Sequence, residues 1–358
     1  MKQTPLIISA RPGAPSDGAA RLDETLEEGT EDTSGDVGEA GDSELRAFVI
    51  DATQHGQRLD RALAVLVPEF SRSYLQQLIE AGAVQIEHGP ARTPRTLTKP
   101  SATVRFGEQG SIELRPTPQS QAFRAEPMDL VVVYEDEHLR VIDKPVGLVV
   151  HPAPGHWSGT LLNGLLALDP KAVLLPRAGI VHRLDRDTSG LMVVARTRAA
   201  MDALVAMIAA RSVTRQYFAL GHKPWQGPRS RQVDEPIGRD PRNRLRMAVV
   251  DLTRHAGKTA RTRIELVDNG DFGCAVRCTL ETGRTHQIRV HMASIGHPLV
   301  GDAIYGGAEA VGLTRQGLHA YRLAFTHPIT QAALDFRAPL PPDLQAALAG
   351  WGLHYNPV

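Results

Sequence analysis

Charge is concentrated in one short stretch of the sequence, GIVHRLDRDTSGLMVVART, which occupies residues 179–197. Apolar runs on either side of the charged residues predict strand ends, so the segment between them should form a loop at a sheet edge, where catalytic groups are commonly displayed. Asp185 lies between Arg183 and Arg186, and these nearby cations favour the ionised carboxylate. Such a carboxylate suits a nucleophile or a general base near phosphates, but a structural ion pair would leave the same pattern.

The second aspartate of this stretch, Asp187, has a different setting. It precedes Thr188, Ser189 and Gly190, an order in which an aspartate side chain usually accepts hydrogen bonds from the following backbone amides. We therefore predict a structural role for Asp187. If both carboxylates faced one way, however, a two-carboxylate glycoside hydrolase would remain an alternative.

A second charged motif, ETGRTHQIRVH at residues 281–291, offers a cation for such a carboxylate. Gly283 allows an unusual turn, and Arg284 would then stand at the start of a helix, whose N-terminal amides add positive potential. A guanidinium in that position can hold a carboxylate or a phosphate in bidentate geometry. The spacing in sequence does not establish whether Arg284 reaches Asp185.

The fourteen histidines raise the question of a metal hydrolase, but their spacing does not favour it. His286 and His291 are five residues apart, whereas two ligands on one face of a helix would be four apart. Cys274 and Cys278 have no second pair with which to complete a zinc site, and they cannot form a disulfide framework. We therefore expect no metal site and a reducing compartment.

Charge is distributed unevenly along the 358 residues, although the whole chain is formally neutral. Residues 1–45 carry a net charge of −8 and residues 46–358 a net charge of +8. The first region has few apolar side chains to bury, so we predict a disordered acidic tail over residues 1–46. The basic remainder is compatible with binding to a polyanion. The sequence has no signal-peptide pattern and no apolar run of membrane length, so we expect a cytoplasmic protein with no membrane partner.

Two helices and a short sheet are predicted in residues 47–116. Apolar residues follow helical spacing from Leu59 up to Pro68, and a second helix should run from Ser71 to Gly82. The segments AVQIEHG and ATVRFGEQ predict strands. This stretch resembles the S4-like RNA-binding domain, although a helical hairpin that acts as a spacer is an alternative. The candidate RNA contacts are Arg58, Arg61, Arg72 and Arg105.

A proline-rich linker is predicted at residues 117–127 and a larger domain at residues 128–358. The first segment of this domain has two apolar runs around an acidic turn and predicts a hairpin. Further strands are predicted at residues 190–196, 213–220, 259–267, 273–280, 319–325 and 332–336. Helices are predicted at residues 159–168, 199–211, 284–295 and 341–350. Because strands dominate and the helices are irregularly placed, the predicted fold class is α+β with a mixed, mainly antiparallel sheet.

Several motifs of the larger domain together resemble those of the RluA-type pseudouridine synthases. They are DKPVGLVVHP, GIVHRLDRDTSGLMVVART, RQYFAL, DEPIGR and ETGRTHQIRVHMASIGHPLVGD, and the resemblance runs from about Arg58 to Pro341. It implies the pseudouridine synthase fold and an enzyme that detaches a uracil from its ribose in RNA, turns it and rejoins it through carbon. That reaction consumes nothing, so the resemblance implies no cofactor and no metal.

The resemblance also implies roles for individual residues. Asp185 would be the catalytic aspartate, Arg284 would pair with it, and Tyr217 would stack on the uracil. Arg183 would enter the RNA beside the extruded base. The other residues predicted to bind the substrate or to shape its pocket are His182, Lys144 and Arg186.

The implied partner is large-subunit (23S) ribosomal RNA, or a precursor of that ribosomal subunit, bound by a monomer. Two alternatives stay open on the sequence. One is an RNA-binding assembly factor without activity, and the other is a synthase of the same family that modifies other uridines of the same RNA.

Overall fold

The structure, a computed structural model, describes residues 43–88, 93–115, 117, 122–153 and 156–355. Most of the predicted acidic tail therefore lies outside the described residues. The last residues of the predicted tail are described, and they belong to strand β1, Glu44–Val49. This strand pairs along its whole length with a later strand. The predicted boundary at residue 46 was wrong, because Glu44, Leu45 and Arg46 already pair with Leu114, Glu113 and Ile112 of that strand.

The N-terminal module packs two helices against a small sheet. Its elements after β1 are α1 (Leu59–Leu66), α2 (Arg72–Glu80), β2 (Val84–His88), β3 (Thr93–Leu97) and β4 (Gln109–Leu114). The strands form an antiparallel sheet in the order β1-β4-β2-β3. Both predicted helices are present, with Leu63 and Leu78 fully buried on their apolar faces. The second begins as predicted, because the Ser71 hydroxyl accepts a hydrogen bond from the Tyr74 amide at 3.3 Å.

One strand of this module was placed wrongly. The segment ATVRFGEQ, residues 102–109, is a loop up to the first residue of β4. Gly107 adopts a φ of +84°, and its amide donates to the Ile50 carbonyl at 2.9 Å, so the chain turns where an extended strand was expected.

The larger domain is dominated by strands. Its helices are α3 (Leu161–Leu168), α4 (Arg198–Ala209), α5 (Gln287–Ser294) and α6 (Pro342–Gly350). Its strands are β5 (Val131–Glu135), β6 (Leu139–Lys144), β7 (Ser189–Ala195), β8 (Thr214–His222), β9 (Ser230–Asp234), β10 (Ile237–Arg239), β11 (Met247–Val249), β12 (Gly257–Lys258), β13 (Arg261–Asn269), β14 (Gly273–Leu280), β15 (Leu318–Thr326) and β16 (Ala333–Arg337). Short 3-10 helices occupy Pro170–Leu174, Pro176–Gly179 and Ala303–Tyr305.

Nine strands form one large sheet in the order β5-β6-β7-β15-β8-β14-β13-β9, with β16 beside β15. Strand β15 runs parallel to β7, and the other neighbouring pairs of this sheet are antiparallel. The sheet confirms the predicted α+β class with a mixed, mainly antiparallel architecture. Three short strands, in the order β11-β10-β12, form a separate small sheet that was not predicted.

The middle of the large sheet is a rigid, buried platform. All seven residues of β7 are buried, and Cys274 and Cys278 of β14 are free thiols in the core. Burial raises the pKa of Cys274 to about 12, so its thiol is protonated at neutral pH. Within the described residues, the helices are all too short or too polar to cross a bilayer. The loops at the edge of this platform carry the charged motifs.

Candidate active site

The loop that carries Asp185 is held firmly before it enters β7. Leu184 is buried in the core, whereas the side chain of Asp185 remains 15% exposed. The Thr188 amide donates to the Asp185 carbonyl at 3.1 Å, and Arg315 Nη1 donates to the Asp187 carbonyl at 3.1 Å. These contacts fix the backbone around Asp185, so its carboxylate has a defined direction.

Lys144 supports this loop from within the protein. Its ammonium group donates to the carbonyl oxygens of Pro145, Leu148 and Arg186 at 2.8, 3.0 and 2.9 Å. The residue is fully buried, and burial lowers the pKa of Lys144 to about 8. Because its three donors are all occupied, Lys144 ties β6 to the Asp185 loop. It can therefore shape the pocket, as one of the two predicted roles requires, but it has no free donor for direct binding of the substrate.

The carboxylate of Asp185 faces two basic side chains of the α5 region. Arg289 Nη1 donates to Asp185 Oδ2 at 3.1 Å, and His286 Nε2 lies 3.9 Å from Asp185 Oδ1. The side chain of Arg289 is only 5% exposed. Burial disfavours its charge, but the hydrogen bonds and charges of Asp302 and Asp185 outweigh burial and raise the pKa of Arg289. The guanidinium is therefore a permanent cation beside Asp185.

His286 is oriented by Tyr305. The Tyr305 hydroxyl accepts a hydrogen bond from the Met247 amide at 3.2 Å, so its own proton can go to His286 Nδ1, 2.9 Å away. In that arrangement a neutral His286 carries its proton on Nε2, toward Asp185. Burial lowers the pKa of His286 and favours this neutral ring. The two oxygens of Asp185 thus have separate neighbours.

Arg284 does not pair with Asp185, so the predicted ion pair was wrong. Its Nε donates to the Thr259 carbonyl at 3.1 Å. The side chain of Gln287 accepts a hydrogen bond from the Arg284 amide at 3.0 Å, and α5 begins only at Gln287 rather than at Arg284. The cation that reaches Asp185 is Arg289, which lies further along the helix.

A cavity of about 340 Å³ opens beside Asp185 and the start of α5. This volume lies within the range of small-ligand sites. Tyr217 on β8 is 6% exposed, and burial raises the pKa of its phenol. Among the described residues, no group of three or more His, Cys, Asp or Glu side chains is arranged to hold a metal ion. The cavity wall includes His182, Arg183, Asp185, Tyr217, Arg284 and Arg289.

His182 lies in the wall of this cavity but also fastens the loop to β7. Its Nε2 accepts a hydrogen bond from the Val193 amide at 3.1 Å, which leaves the proton of a neutral ring on Nδ1. Burial, helped by the charge of Arg215, lowers the pKa of His182 to about 3. The ring is therefore neutral at pH 7, and its contact with substrate stays a prediction.

The two arginines that flank Asp185 have exposed side chains. Arg183 lines the first cavity and also a neighbouring one of about 710 Å³, which Arg186 lines as well. Arg186 Nε donates to Asp187 Oδ1 at 3.1 Å. The hydrogen bonds predicted from the following amides to Asp187 are not found in the described part of the chain, so its partner is a guanidinium.

Sequence reasoning missed two cations of this site, Arg289 and Arg215. Arg289 could have been found from its position in the first turn of α5, three residues after the N-cap residue His286. Arg215 is 6% exposed and lines the cavity two residues before Tyr217, on the same face of β8. A Cβ on Gly283 would lie 2.8 Å from Arg215 Nη1, so the glycine permits this close approach rather than the predicted turn.

The four arginines predicted to contact RNA in the N-terminal module divide into two pairs. Arg58 and Arg72 are half-exposed and bind the buried carboxylate of Asp60 at 3.1 and 2.8 Å. The hydrogen bond from Arg58 is the largest of the effects that hold the pKa of Asp60 well below its usual range. Arg61 and Arg105 are exposed. Because Arg58 and Arg72 pair with Asp60, less of their positive charge is available for RNA phosphates.

Comparison with known proteins finds similar sequences and a similar solved structure. A family model described as RNA pseudouridylate synthase matches residues 138–294. Ribosomal large subunit pseudouridine synthase D of Neisseria meningitidis serogroup A is 47% identical over 307 residues, which cover 82% of this chain and 78% of that protein. The protein of the same name from Xanthomonas campestris is 45% identical over 323 residues, which cover 86% of this chain and 93% of that protein. A solved structure, Human RNA Pseudouridylate Synthase Domain Containing 1, has 28% identity and a TM-score of 0.49 over 62% of this chain and 90% of that chain.

Proposed function

The chain belongs to the RNA pseudouridylate synthase family, and we propose that it converts uridines of large-subunit ribosomal RNA to pseudouridines with Asp185 as the catalytic residue. The chain covers more than three quarters of each relative named above, and both relatives carry the large ribosomal subunit in their names. That likeness supports the RNA substrate, and the site supports the role of Asp185.

The observation that carries the proposal is the convergence of Asp185, Tyr217 and several guanidinium groups on one cavity. Asp185 comes from the loop before β7, Tyr217 from β8 and Arg289 from α5, so the fold joins three distant parts of the sequence. A carboxylate, an aromatic ring and cations are the groups that a flipped nucleotide with its phosphates would meet.

The chemistry needs few groups because nothing is consumed. The bond between C1′ of the ribose and N1 of the uracil breaks, and a bond between C1′ and C5 forms. N1 gains a proton and C5 loses one, so no oxidant, water or metal enters the balance. Asp185 can act as a nucleophile or as the base that removes a sugar proton, and either role needs a carboxylate of fixed direction.

The target uridine must leave the RNA stack to reach Asp185, which costs a few kcal/mol of unstacking. We assign Arg183 to the gap that the uridine leaves, because no ion pair or hydrogen bond with the described residues holds its exposed side chain. The ring of Tyr217 stacks on the extruded uracil in the cavity. Arg284, in the cavity wall, holds a phosphate rather than Asp185.

The N-terminal module, which begins at Glu44 rather than at residue 47, contributes phosphate contacts through the exposed Arg61 and Arg105. Residues 117–127 link it to the catalytic domain, residues 128–358. The substrate implies action in the cytoplasm, and we infer a monomer that needs no cofactor.

The direct test uses a transcript of 23S ribosomal RNA that carries label in its uracil rings. We expect conversion of uridine to pseudouridine with all of the label retained in the RNA. Two-carboxylate hydrolysis would release free uracil, and an RNA-binding protein without activity would leave every uridine unchanged. Either result would contradict the proposal. Mapping pseudouridines in ribosomal RNA from cells that lack the gene then identifies the positions modified.

A further inference from the structure

We propose that Asp302 is a positioning residue for the reaction, because it holds Arg289 in the one orientation that presents a single donor to Asp185. The proposal rests on the function proposed above. It concerns a buried carboxylate in the loop between α5 and β15. Asp302 is not part of the wall of the cavity of about 340 Å³, but it lies in the wall of the neighbouring cavity of about 710 Å³.

The geometry divides the guanidinium of Arg289 between two carboxylates. Its Nε donates to Asp302 Oδ2 at 2.7 Å, and its Nη2 donates to Asp302 Oδ1 at 2.8 Å. This bidentate pair occupies one complete edge of the guanidinium. Only Nη1 turns toward Asp185, where it donates to Oδ2 at 3.1 Å. Asp302 therefore decides which edge of Arg289 the catalytic carboxylate meets.

The carboxylate of Asp302 is bound by Arg289 rather than open to a ligand. Its side chain is 1% exposed, and each of its two oxygens accepts a hydrogen bond from Arg289. The guanidinium also packs on Tyr305, because Cζ of Arg289 lies over that ring, 5.1 Å from its centre. Asp302 and Tyr305 together leave the cation little freedom to rotate.

The pairing of Arg289 with Asp302 limits how Arg289 can bind Asp185. If Asp302 lost its charge, Asp185 would be the nearest carboxylate for the freed edge of Arg289. A bidentate pair with Asp185 would engage both of its oxygens, whereas the present contact leaves Oδ1 without a close cationic donor, 3.9 Å from His286. Asp302 thus keeps one oxygen of the catalytic carboxylate available for the ribose or the uracil.

The loop that carries Asp302 is built tightly. The Asp302 amide donates to the Leu299 carbonyl at 3.1 Å, and the Gly307 amide donates to the Asp302 carbonyl at 2.9 Å. A Cβ on Gly307 would lie 1.7 Å from the Leu299 oxygen, so this closure requires glycine. The loop places the carboxylate of Asp302 rigidly against α5, as a positioning role needs.

The test is a kinetic double-mutant cycle in the full chain, with pseudouridine formation in the 23S transcript measured in single turnovers. We expect Asp302→Asn to lower the maximal rate on the order of 30-fold to 100-fold. The enzyme concentration that gives half of that rate should change by less than about twofold, because RNA binding is untouched. In an Arg289→Gln background, adding Asp302→Asn should change the rate by less than about twofold, because Asp302 acts only through Arg289.

Asp335→Asn provides a matched control. Asp335 forms a similar bidentate pair with Arg322, at 2.9 and 2.7 Å, between β15 and β16, and this variant should keep the wild-type rate. A wild-type rate in Asp302→Asn would overturn the proposal, and so would an equal loss from Asp302→Asn in both backgrounds. If Asp302→Asn alone does not fold, the double variant, which leaves neither buried charge of the pair alone, still tests the proposal, because a wild-type rate in it would overturn the proposal. Absence of activity in the wild-type chain would instead refute the proposed function.

Discussion

The carboxylate of Asp185 is held at one oxygen and left open at the other. Oδ2 accepts a hydrogen bond from Arg289 at 3.1 Å, whereas Oδ1 faces His286 at 3.9 Å. A fixed guanidinium needs no reorganisation when the charge of the carboxylate changes during the reaction, which is the property that makes preorganised groups effective. When Tyr305 donates to His286 Nδ1, the proton of the neutral ring points toward Asp185, so the neighbours of both oxygens are in place before RNA binds.

Arg289 and Arg284 should therefore differ in what their replacement does. We expect Arg289→Lys to lower the single-turnover rate on the order of 100-fold, because an ammonium group cannot join Asp302 and Asp185 in the same geometry. Arg284→Lys should mainly weaken RNA binding and change the rate by less than about threefold. The measurement is the rate of pseudouridine formation as a function of enzyme concentration. A larger rate loss in Arg284→Lys than in Arg289→Lys would show that the sequence-based pairing was correct after all.

The local order of residues was sufficient to select Asp185 but not its partner. Asp185 stands out because arginines flank it and its loop lies between two apolar runs. The choice between Arg284 and Arg289 depends on where α5 begins, and a hydrogen bond from the Arg284 amide to the Gln287 side chain decides that. Lys144 was placed at the substrate for a related reason, since the sequence does not show that three carbonyl oxygens enclose its ammonium group.

The elements that position the site meet where β7 runs parallel to β15. The long strands and the helices of this domain were predicted because their apolar periodicity is strong, as in β14, whose predicted bounds match the structure. The short strands β10 to β12 were missed, since two or three residues carry no periodic signal. Across the parallel contact, Ser189 Oγ on β7 lies 2.9 Å from His319 Nδ1 on β15.

His319 should make this junction sensitive to acid. Burial, followed by the charge of Arg315, lowers the pKa of His319 from its usual 6.5 to about 4. The folded state therefore favours the neutral ring. The contribution of His319 to the stability of the folded protein is complete above pH 6.5 and is lost as the pH falls toward 4. For this one group, the free energy of unfolding should fall on the order of 2 kcal/mol between pH 7 and pH 5.

Denaturant unfolding at the two pH values checks this expectation. His319→Gln, which retains a polar group near Ser189 but does not titrate, should show a smaller loss of stability than the wild type. The exposed His255 provides the control, and His255→Gln should keep the wild-type pH dependence. If His319→Gln and the wild type lost the same free energy of unfolding between the two pH values, a group other than His319 would cause the acid sensitivity.

Over the whole molecule, a basic body suits an RNA substrate. Residues 46–358 carry a net charge of +8, and several of the guanidinium groups lie in the cavity wall. In the N-terminal module Arg58 and Arg72 share Asp60, so the charge available for phosphates is concentrated on residues such as Arg61 and Arg105. Phosphate contacts release counterions, which makes the affinity for RNA depend on salt.

We expect the double variant Arg61→Gln with Arg105→Gln to weaken RNA binding and to flatten its salt dependence. The slope of log affinity against log salt concentration should decrease in magnitude by about 1 to 2, because each lost phosphate contact removes roughly 0.7 to 0.9. The rate at saturating enzyme should not change, since neither residue lines the cavity. A binding titration at several salt concentrations gives the slope. An unchanged slope would show that these two arginines do not contact RNA phosphates.

The central role of Asp185 is tested most directly by Asp185→Asn in the full chain, with RNA affinity and pseudouridine formation measured on the same 23S transcript. The amide has nearly the size of the carboxylate but is neither a nucleophile nor a base. RNA affinity should remain close to that of the wild type, while pseudouridine formation should fall below detection. Pseudouridine formation at the wild-type rate in Asp185→Asn would contradict the assignment of this residue as the catalytic group.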